Sequence, residues 1–192
     1  MDAQVLVGAG SVLIFLIIYI KSYNTLISAR QKTNEARSVI GVQLKRRCDL
    51  IPNLINCVEG YVAHEKSIME SIAKLRTEAL ALPLEDKSMK QRSVIEEGIT
   101  ANIRSLFAVS ENYPQLRANE NFLYLQQALS KIEKELAASR RIYNNNTAYL
   151  NTKVEQFPTC VIASIHKITG ADFFEFGDGE KDLRLPPEVK FN

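Results

Sequence analysis

Tryptophan is absent from this 192-residue sequence, glycine and proline number only eight and six, and histidine occurs twice. Sparse glycine and proline argue against a turn-rich β sandwich and against a disordered chain, and with an ordinary apolar fraction of 46% they point to an all-α fold. The three cysteines, Cys48, Cys57 and Cys160, are odd in number and lack CxxC spacing, so they signal neither a disulfide framework nor a zinc knuckle and fit a reducing compartment. On one helix Cys48 and Cys57 would stand ~13 Å apart, beyond disulfide reach, and all three read as small core residues. An excess of either charge is missing too: a formal net charge of +2 is too weak to imply nucleic acid, whose binders concentrate far more positive charge on one face. A chain of this length holds one folding unit beside an anchor.

What the sequence does have is a charge-free run from Ala3 to Ile20, AQVLVGAGSVLIFLIIYI. As a helix it spans ~27 Å, close to the hydrocarbon thickness of a bilayer. No Lys or Arg precedes the run and no small-x-small site follows it, which disfavours a cleaved signal peptide. A helix this apolar on all sides would need a larger protein to bury it. We therefore expect a transmembrane anchor over 1–20. Lys21, Arg30, Lys32 and Arg37 follow closely, so the positive-inside rule puts the N-terminus outside and the body in the cytoplasm. Tyr19 and Lys21 stand where a phenol rests at the headgroup boundary and an ammonium snorkels to it. With Arg30 and Lys32 they form the expected membrane-interface set, each cation being worth up to ~1 kcal/mol against anionic headgroups.

After the span, Leu26, Ile40, Leu44, Ile51, Leu54, Val58, Tyr61, Ile68, Ile72, Leu75 and Leu82 fall on steps of three and four. They predict one amphipathic helix continuing the anchor as a stalk, kinked or broken near Cys48–Ile51 by Pro52. The stretch Leu82-Pro83-Leu84-Glu85-Asp86 reads as a turn, with Asp86 or Ser88 capping a second helix from Lys87 to Tyr113 that Pro114 ends. Asn119 or Asn121 caps a third helix with a seam from Phe122 to Phe157. Beyond Pro158 a short fourth helix, Thr159 to Ile168, stops at Gly170. The expectation is an elongated, antiparallel up-and-down bundle of four helices over 21–170. An extended tail follows over 171–192, packed through Phe173, Phe174, Phe176 and Phe191.

Lys45-Arg46-Arg47 is the strongest basic cluster, but Asp49 follows it and successive helical residues fan apart, so the charges do not make one patch. Arg47 falls on the seam, where a charge is tolerated mainly when paired, and Glu96, Glu97, Glu133 and Glu135 are candidate mates. His64-Glu65 begins like a zinc-protease helix, but Ile68 stands where the second histidine of HExxH would be; the other histidine, His166, lies beyond Pro158. GxSxG and a Gly-rich phosphate loop are missing as well, Glu96 and Glu97 are adjacent and face different ways, and Gly177-Asp178-Gly179 reads as a turn. Neither a catalytic, cofactor nor metal site nor a small-molecule substrate is indicated. Asn24, Asn53, Asn144 and Asn151, with Tyr23, Tyr143 and Tyr149, form a polar set with two readings: hydrogen bonds that fix register inside the bundle, or the lining of a groove for a partner helix or another copy.

Tyr23-Asn24, Arg30 and then VQLKRRCDLIPNLINCVEGYVAHE from Val42 to Glu65 resemble the signature of the LemA family. YPQLRANENFLYLQ from Tyr113, ASRRIYNNNTAYLN from Ala138, FPTCVIA from Phe157 and PPEVKF near the end are similar to later blocks of that family, in the same order. The resemblance covers nearly the whole chain. It implies a membrane helix carrying a helical bundle in the bacterial cytoplasm, and no established reaction. Within it, Tyr23, Asn24, Arg46, Arg47, Asp49, Pro52, Asn53, Tyr61, His64, Glu65, Arg140, Tyr143 and Asn144 are assigned structural roles.

Three functions remain open to the sequence. The first is a non-enzymatic scaffold at the bacterial cytoplasmic membrane that self-associates or organises other membrane proteins. The second is an adaptor or regulatory subunit of a membrane enzyme such as a protease. The third is an enzyme with an unfamiliar helical site, disfavoured because no acid, base, nucleophile or metal set converges. The expected partners are the lipid bilayer, further copies of the chain and another membrane protein, with no nucleic acid.

Overall fold

The steps of three and four are realised, in a computed structural model, as six α-helices: α1 (Asp2–Glu59), α2 (Lys66–Ala81), α3 (Met89–Ser110), α4 (Pro114–Arg117), α5 (Glu120–Glu155) and α6 (Thr159–Ile165). The structure describes residues 2–62, 65–84 and 89–174, and none of these lies in a strand. The fold is all-α. Two compact units divide the chain: Met1–Ser38 with Arg141–Ala171, and Val39–Arg140 with Asp172–Asn192.

In the first unit α1 begins apolar on every side. Val12, Leu13, Ile14, Phe15, Leu16 and Ile17, which together encircle the helix, are between 44% and 74% exposed. Their helix holds an 18-residue window of mean hydropathy 1.7, long and apolar enough to cross a membrane. The Ser11 hydroxyl donates to the Val7 carbonyl at 2.9 Å, the bond one turn back that helical serines and threonines make. Beyond Ile20 one face becomes packed: Ser22, Leu26, Ala29, Thr33 and Ala36 are buried, and the small side chains at 22, 29, 33 and 36 allow a neighbouring helix close approach. That neighbour is the end of α5, which buries Tyr143, Thr147 and Leu150. The pair is antiparallel, because Asn146 donates to the Lys32 carbonyl at 3.1 Å while Val154, further along α5, packs with Tyr23, Leu26 and Ile27, further back along α1.

Helix α6 closes this unit with Ile162 and Ala163 packed against Leu26. Gly170 is not its stop. The helix ends at Ile165, and Lys167 takes the left-handed conformation (φ 52°). Ile168 N–H donates to the Ala163 carbonyl at 2.9 Å and Lys167 N–H to the Ser164 carbonyl at 3.3 Å, the paired bonds of a Schellman cap, with Ile168 folded into the core. Gly170 serves elsewhere: a Cβ on it would stand 2.5 Å from Asn151 Oδ1. The bare backbone lets the Asn151 amide bridge Ala171, accepting from its N–H at 2.9 Å and donating to its carbonyl at 3.0 Å.

The second unit packs the end of α1, α2, α3 and the start of α5 around Cys48, Ile51, Leu54, Val58, Ile72, Ile99, Leu106, Phe122 and Leu129. Each fully buried Leu, Ile or Phe of this set contributes about 1.5–3 kcal/mol. The stalk expected to reach Leu82 is instead two helices. At Gly60 the chain turns, with Tyr61 and Val62 N–H groups both donating to the Val58 carbonyl, and Val62 rather than Tyr61 enters the core. Glycine, about 1 kcal/mol worse than alanine in a helix, makes this the weak point. Pro52, by contrast, does not break α1. Its missing N–H frees the Cys48 carbonyl, and Arg76 from α2 fills the gap, Nε donating to that oxygen at 2.8 Å.

One further boundary moves and one falls where expected. α3 ends at Ser110, and Pro114 opens the one-turn α4 at a position where its lost N–H costs nothing. Asn119 caps α5, its Oδ1 accepting from the N–H groups of Asn121 and Phe122 at 2.9 and 3.2 Å. Asp86, Ser88, Phe176 and Phe191 lie outside the described residues, while Phe174 is buried beneath Arg140, whose guanidinium stands 4.7 Å from the ring centroid.

Candidate functional site

The densest chemistry in the second unit is a buried clamp of two cations and two anions. Arg47 sits on the α1 seam and is 1% exposed; Glu96 of α3 is 0% exposed. Arg47 Nη2 pairs with Glu96 Oε2 and also donates to the Glu96 carbonyl at 3.3 Å, while Nη1 donates to Glu133 Oε2 of α5 at 3.1 Å and to Thr100 Oγ1 at 2.7 Å. Glu96 has a second cation, with Arg92 Nε 2.7 Å from its Oε1. Arg92 also donates to the carbonyls of Ala79 and Leu82, the latter at 2.9 Å, neutralising the free carbonyls and negative dipole end of α2. Four helices are thus tied through two arginines. Such buried charges are tolerated because each has an opposite charge in contact, even though Arg47 Nε, Arg92 Nε and Glu96 Oε1 make no hydrogen bond among the described residues.

Of the four carboxylates the sequence offers Arg47, Glu96 and Glu133 meet it, Glu135 lies 4.0 Å from Arg46, and Glu97 is exposed. Lys45 bonds the exposed Asp49 one turn on, at 3.4 Å. The basic run therefore fans into three unrelated pairs. Beside the clamp opens a cavity of about 290 Å³, with Ile103, Phe107 and Leu129 as apolar wall and Arg104, Lys134 and the Arg47–Glu133 pair around it. Cys48 lies next to the clamp, where burial first and the Glu96 carboxylate second push its thiol up; burial also raises Cys57. Both thiols are held in the protonated, unreactive form. Among the described residues no group of three or more His, Cys, Asp or Glu side chains is placed to hold a metal ion.

A second polar assembly joins the end of α1 to the start of α5. Asn119, besides capping α5, donates through Nδ2 to the Tyr61 hydroxyl at 3.1 Å, and Cys57 Sγ lies 3.8 Å from its Oδ1. Asn53, Asn56, Tyr61, Asn121 and Tyr124 line the groove around it, of about 570 Å³. His64 lies outside the described residues; Glu65 precedes α2 and accepts from Ile68 N–H at 3.1 Å through its carbonyl.

In the first unit Tyr143 is buried, Asn144 is half-buried, and Asn24, Arg30, Lys32 and Lys21 are exposed. A cluster that the sequence did not suggest forms there: the Tyr19 hydroxyl and His166 Nε2 are hydrogen-bonded at 2.7 Å, and the Tyr23 ring centroid lies 4.7 Å from that of His166. A histidine 147 positions from its partner leaves no local signal. Arg92 was more legible, because it stands one turn before Glu96. Arg76 was not; only the donor deficit created by a helical proline hints that something must reach the Cys48 carbonyl.

Relatives of this chain include magnetosome protein MamQ 2 of Paramagnetospirillum magneticum, 24% identical over 195 residues that cover 90% of this chain and 72% of the relative. Protein LemA of Metamycoplasma hominis is 23% identical over 168 residues, 88% of this chain and 75% of its own. Magnetosome protein MamQ of Magnetospirillum gryphiswaldense is 21% identical over 186 residues, covering 85% and 68%. None of these three names states an enzymatic activity. The family model described as the LemA family matches residues 36–191, a stretch that contains the Arg47 clamp, the proline-bearing end of α1 and all of α2 to α6, and the chain belongs to the LemA family.

Proposed function

We propose that this protein is a membrane-anchored, non-enzymatic scaffold of the bacterial cytoplasmic membrane, where it self-associates or organises other proteins. The observation that carries the reading is the beginning of α1, apolar on every side and exposed from Val12 to Ile17, in the same helix that supplies the packed seam of both units. Such a segment gains its burial from a bilayer. The basic residues after the span favour a cytoplasmic body, with Tyr19, Lys21, Arg30 and Lys32 at the boundary. Labelling of a Ser67→Cys variant in intact cells by a membrane-impermeant thiol reagent would overturn that orientation.

Self-association draws support from α5, where Ile142 and Tyr149, seven residues apart and each at least half exposed, leave apolar side chains off the packed face. Confinement to one membrane raises the effective concentration of such side chains. Native mass measurement of the full chain in mild detergent tests the proposal: a discrete oligomer is expected, weakened by Ile142→Glu with Tyr149→Glu. A stable monomer that co-purifies with one membrane enzyme would replace the scaffold by the adaptor reading.

A further inference from the structure

Helix α6 presents an apolar edge that is exposed among the described residues of its unit. Val161 and Ile165, one turn apart on α6, are 50% and 63% exposed, and Phe157, in the turn just before the helix, is 79% exposed, while Thr159, Ile162 and Ala163 are buried. We propose that α6 is an interfacial helix whose Val161–Ile165 edge, with Phe157 of the preceding turn, dips into the headgroup and acyl boundary of the bilayer beside the span. The inference rests on the anchor reading above, since it needs a membrane at the end of the apolar run.

Position selects lipid as the occupant. His166, next to Ile165, is hydrogen-bonded to Tyr19 within the last residues of the apolar run and packs on Tyr23 just beyond it. The antiparallel pairing points the same way: from the Asn146–Lys32 contact, each step along α5 is a step back along α1, so Glu155, the last residue of α5, comes level with Tyr23, and the chain enters α6 from there. Tyr19 and Lys21 are the residue types that rest at the headgroup layer. The exposed edge therefore lies at the depth where an amphipathic helix buries its apolar side. Lys21 and Lys167, both exposed, offer cations to anionic headgroups.

The sequence has no tryptophan, so single substitutions give a clean reporter. Full-length Ile165→Trp, Phe15→Trp and Glu35→Trp are reconstituted into vesicles of mixed zwitterionic and anionic phospholipid, with lipids brominated near the headgroup or at the chain end. Ile165→Trp is expected to emit to the blue of Glu35→Trp, to be quenched more by shallow than by deep bromine, and to resist aqueous acrylamide. Glu35, ~22 Å beyond Ile20 along the helix, reports water. If Ile165→Trp is quenched by acrylamide like Glu35→Trp while Phe15→Trp is quenched by bromolipid, the interfacial helix is refuted and the anchor stands. A blue-shifted Ile165→Trp that no bromolipid quenches means protein covers the edge, and also overturns the proposal. Loss of bromolipid quenching at Phe15→Trp removes the anchor and the inference together.

Discussion

Replacing Glu96 by alanine isolates what the buried clamp contributes. The carboxylate is fully buried and faces two arginines, one of them 1% exposed, so its removal leaves two cations in the interior with reduced compensation. They would not be wholly stranded: Arg47 keeps Glu133 at 3.1 Å and Thr100 at 2.7 Å, and Arg92 keeps the carbonyls at the end of α2. Breaking a buried pair from one side costs about 3–5 kcal/mol, and a domain of this size loses roughly 2–4 °C in Tm per kcal/mol, so Glu96→Ala should fall by roughly 6–20 °C. Glu133→Ala removes a carboxylate that is 31% exposed and leaves the Arg47–Glu96 pair intact; about 1 kcal/mol is expected. Far-ultraviolet circular dichroism of the full chain in mild detergent, with temperature and urea as denaturants, reads both. A third variant, Arg47→Met with Glu96→Leu, separates a bad vacancy from a valuable bond, since a matched apolar pair should cost less than Glu96→Ala alone. Equal losses for Glu96→Ala and Glu133→Ala, within ~0.5 kcal/mol, would refute the account of a clamp whose buried centre is the Arg47–Glu96 pair.

Three other outcomes follow from described geometry. Arg76→Ala should cost about 1.5–3 kcal/mol with Pro52 present but clearly less in a Pro52→Ala background, where a backbone N–H reaches the Cys48 carbonyl instead; additive effects in this double-mutant cycle would exclude the rescue. Lys167→Gly should stabilise the Schellman cap by up to ~1 kcal/mol in thermal unfolding, because glycine takes a positive φ without the Cβ penalty; a loss would mean the lysine side chain matters more than its backbone. Cys48, buried and with its thiol pushed up by burial and by Glu96, should resist a thiol reagent at neutral pH until the chain unfolds; labelling of the native protein at the rate of a free thiol would show the α1–α3 contact opening.

Much of this was legible in the sequence because periodicity reports burial. Leu26, Ile40, Leu44, Ile51, Leu54 and Val58 are all buried as their steps of three and four require. The same periodicity concealed the turn at Gly60: Tyr61 and Ile68 are seven residues apart, two helical turns, so the seam kept its phase across a segment that is not helical. Pro52 drew the break instead, since its penalty is visible locally whereas the compensation arrives from Arg76. Arg47 was readable as a charge on an apolar seam, but which carboxylate met it depends on how α3 and α5 pack, and no local rule fixes that. His166 looked like a leftover histidine until the chain brought it to Tyr19.

The proline in α1 also bears on which pairings the helices reject. Two amphipathic helices with continuous apolar seams can slide past each other by one turn, ~5.4 Å, and still bury much the same surface. Here such a slip carries Arg76 away from the Cys48 carbonyl, which Pro52 leaves without its donor within α1, exposing a vacant acceptor and a homeless guanidinium together. The flaw acts as a vernier mark, readable only when α1 and α2 are aligned. Mending it with alanine should yield a better helix and a less discriminating hairpin, so that robustness and uniqueness of the native arrangement move in opposite directions at a single position.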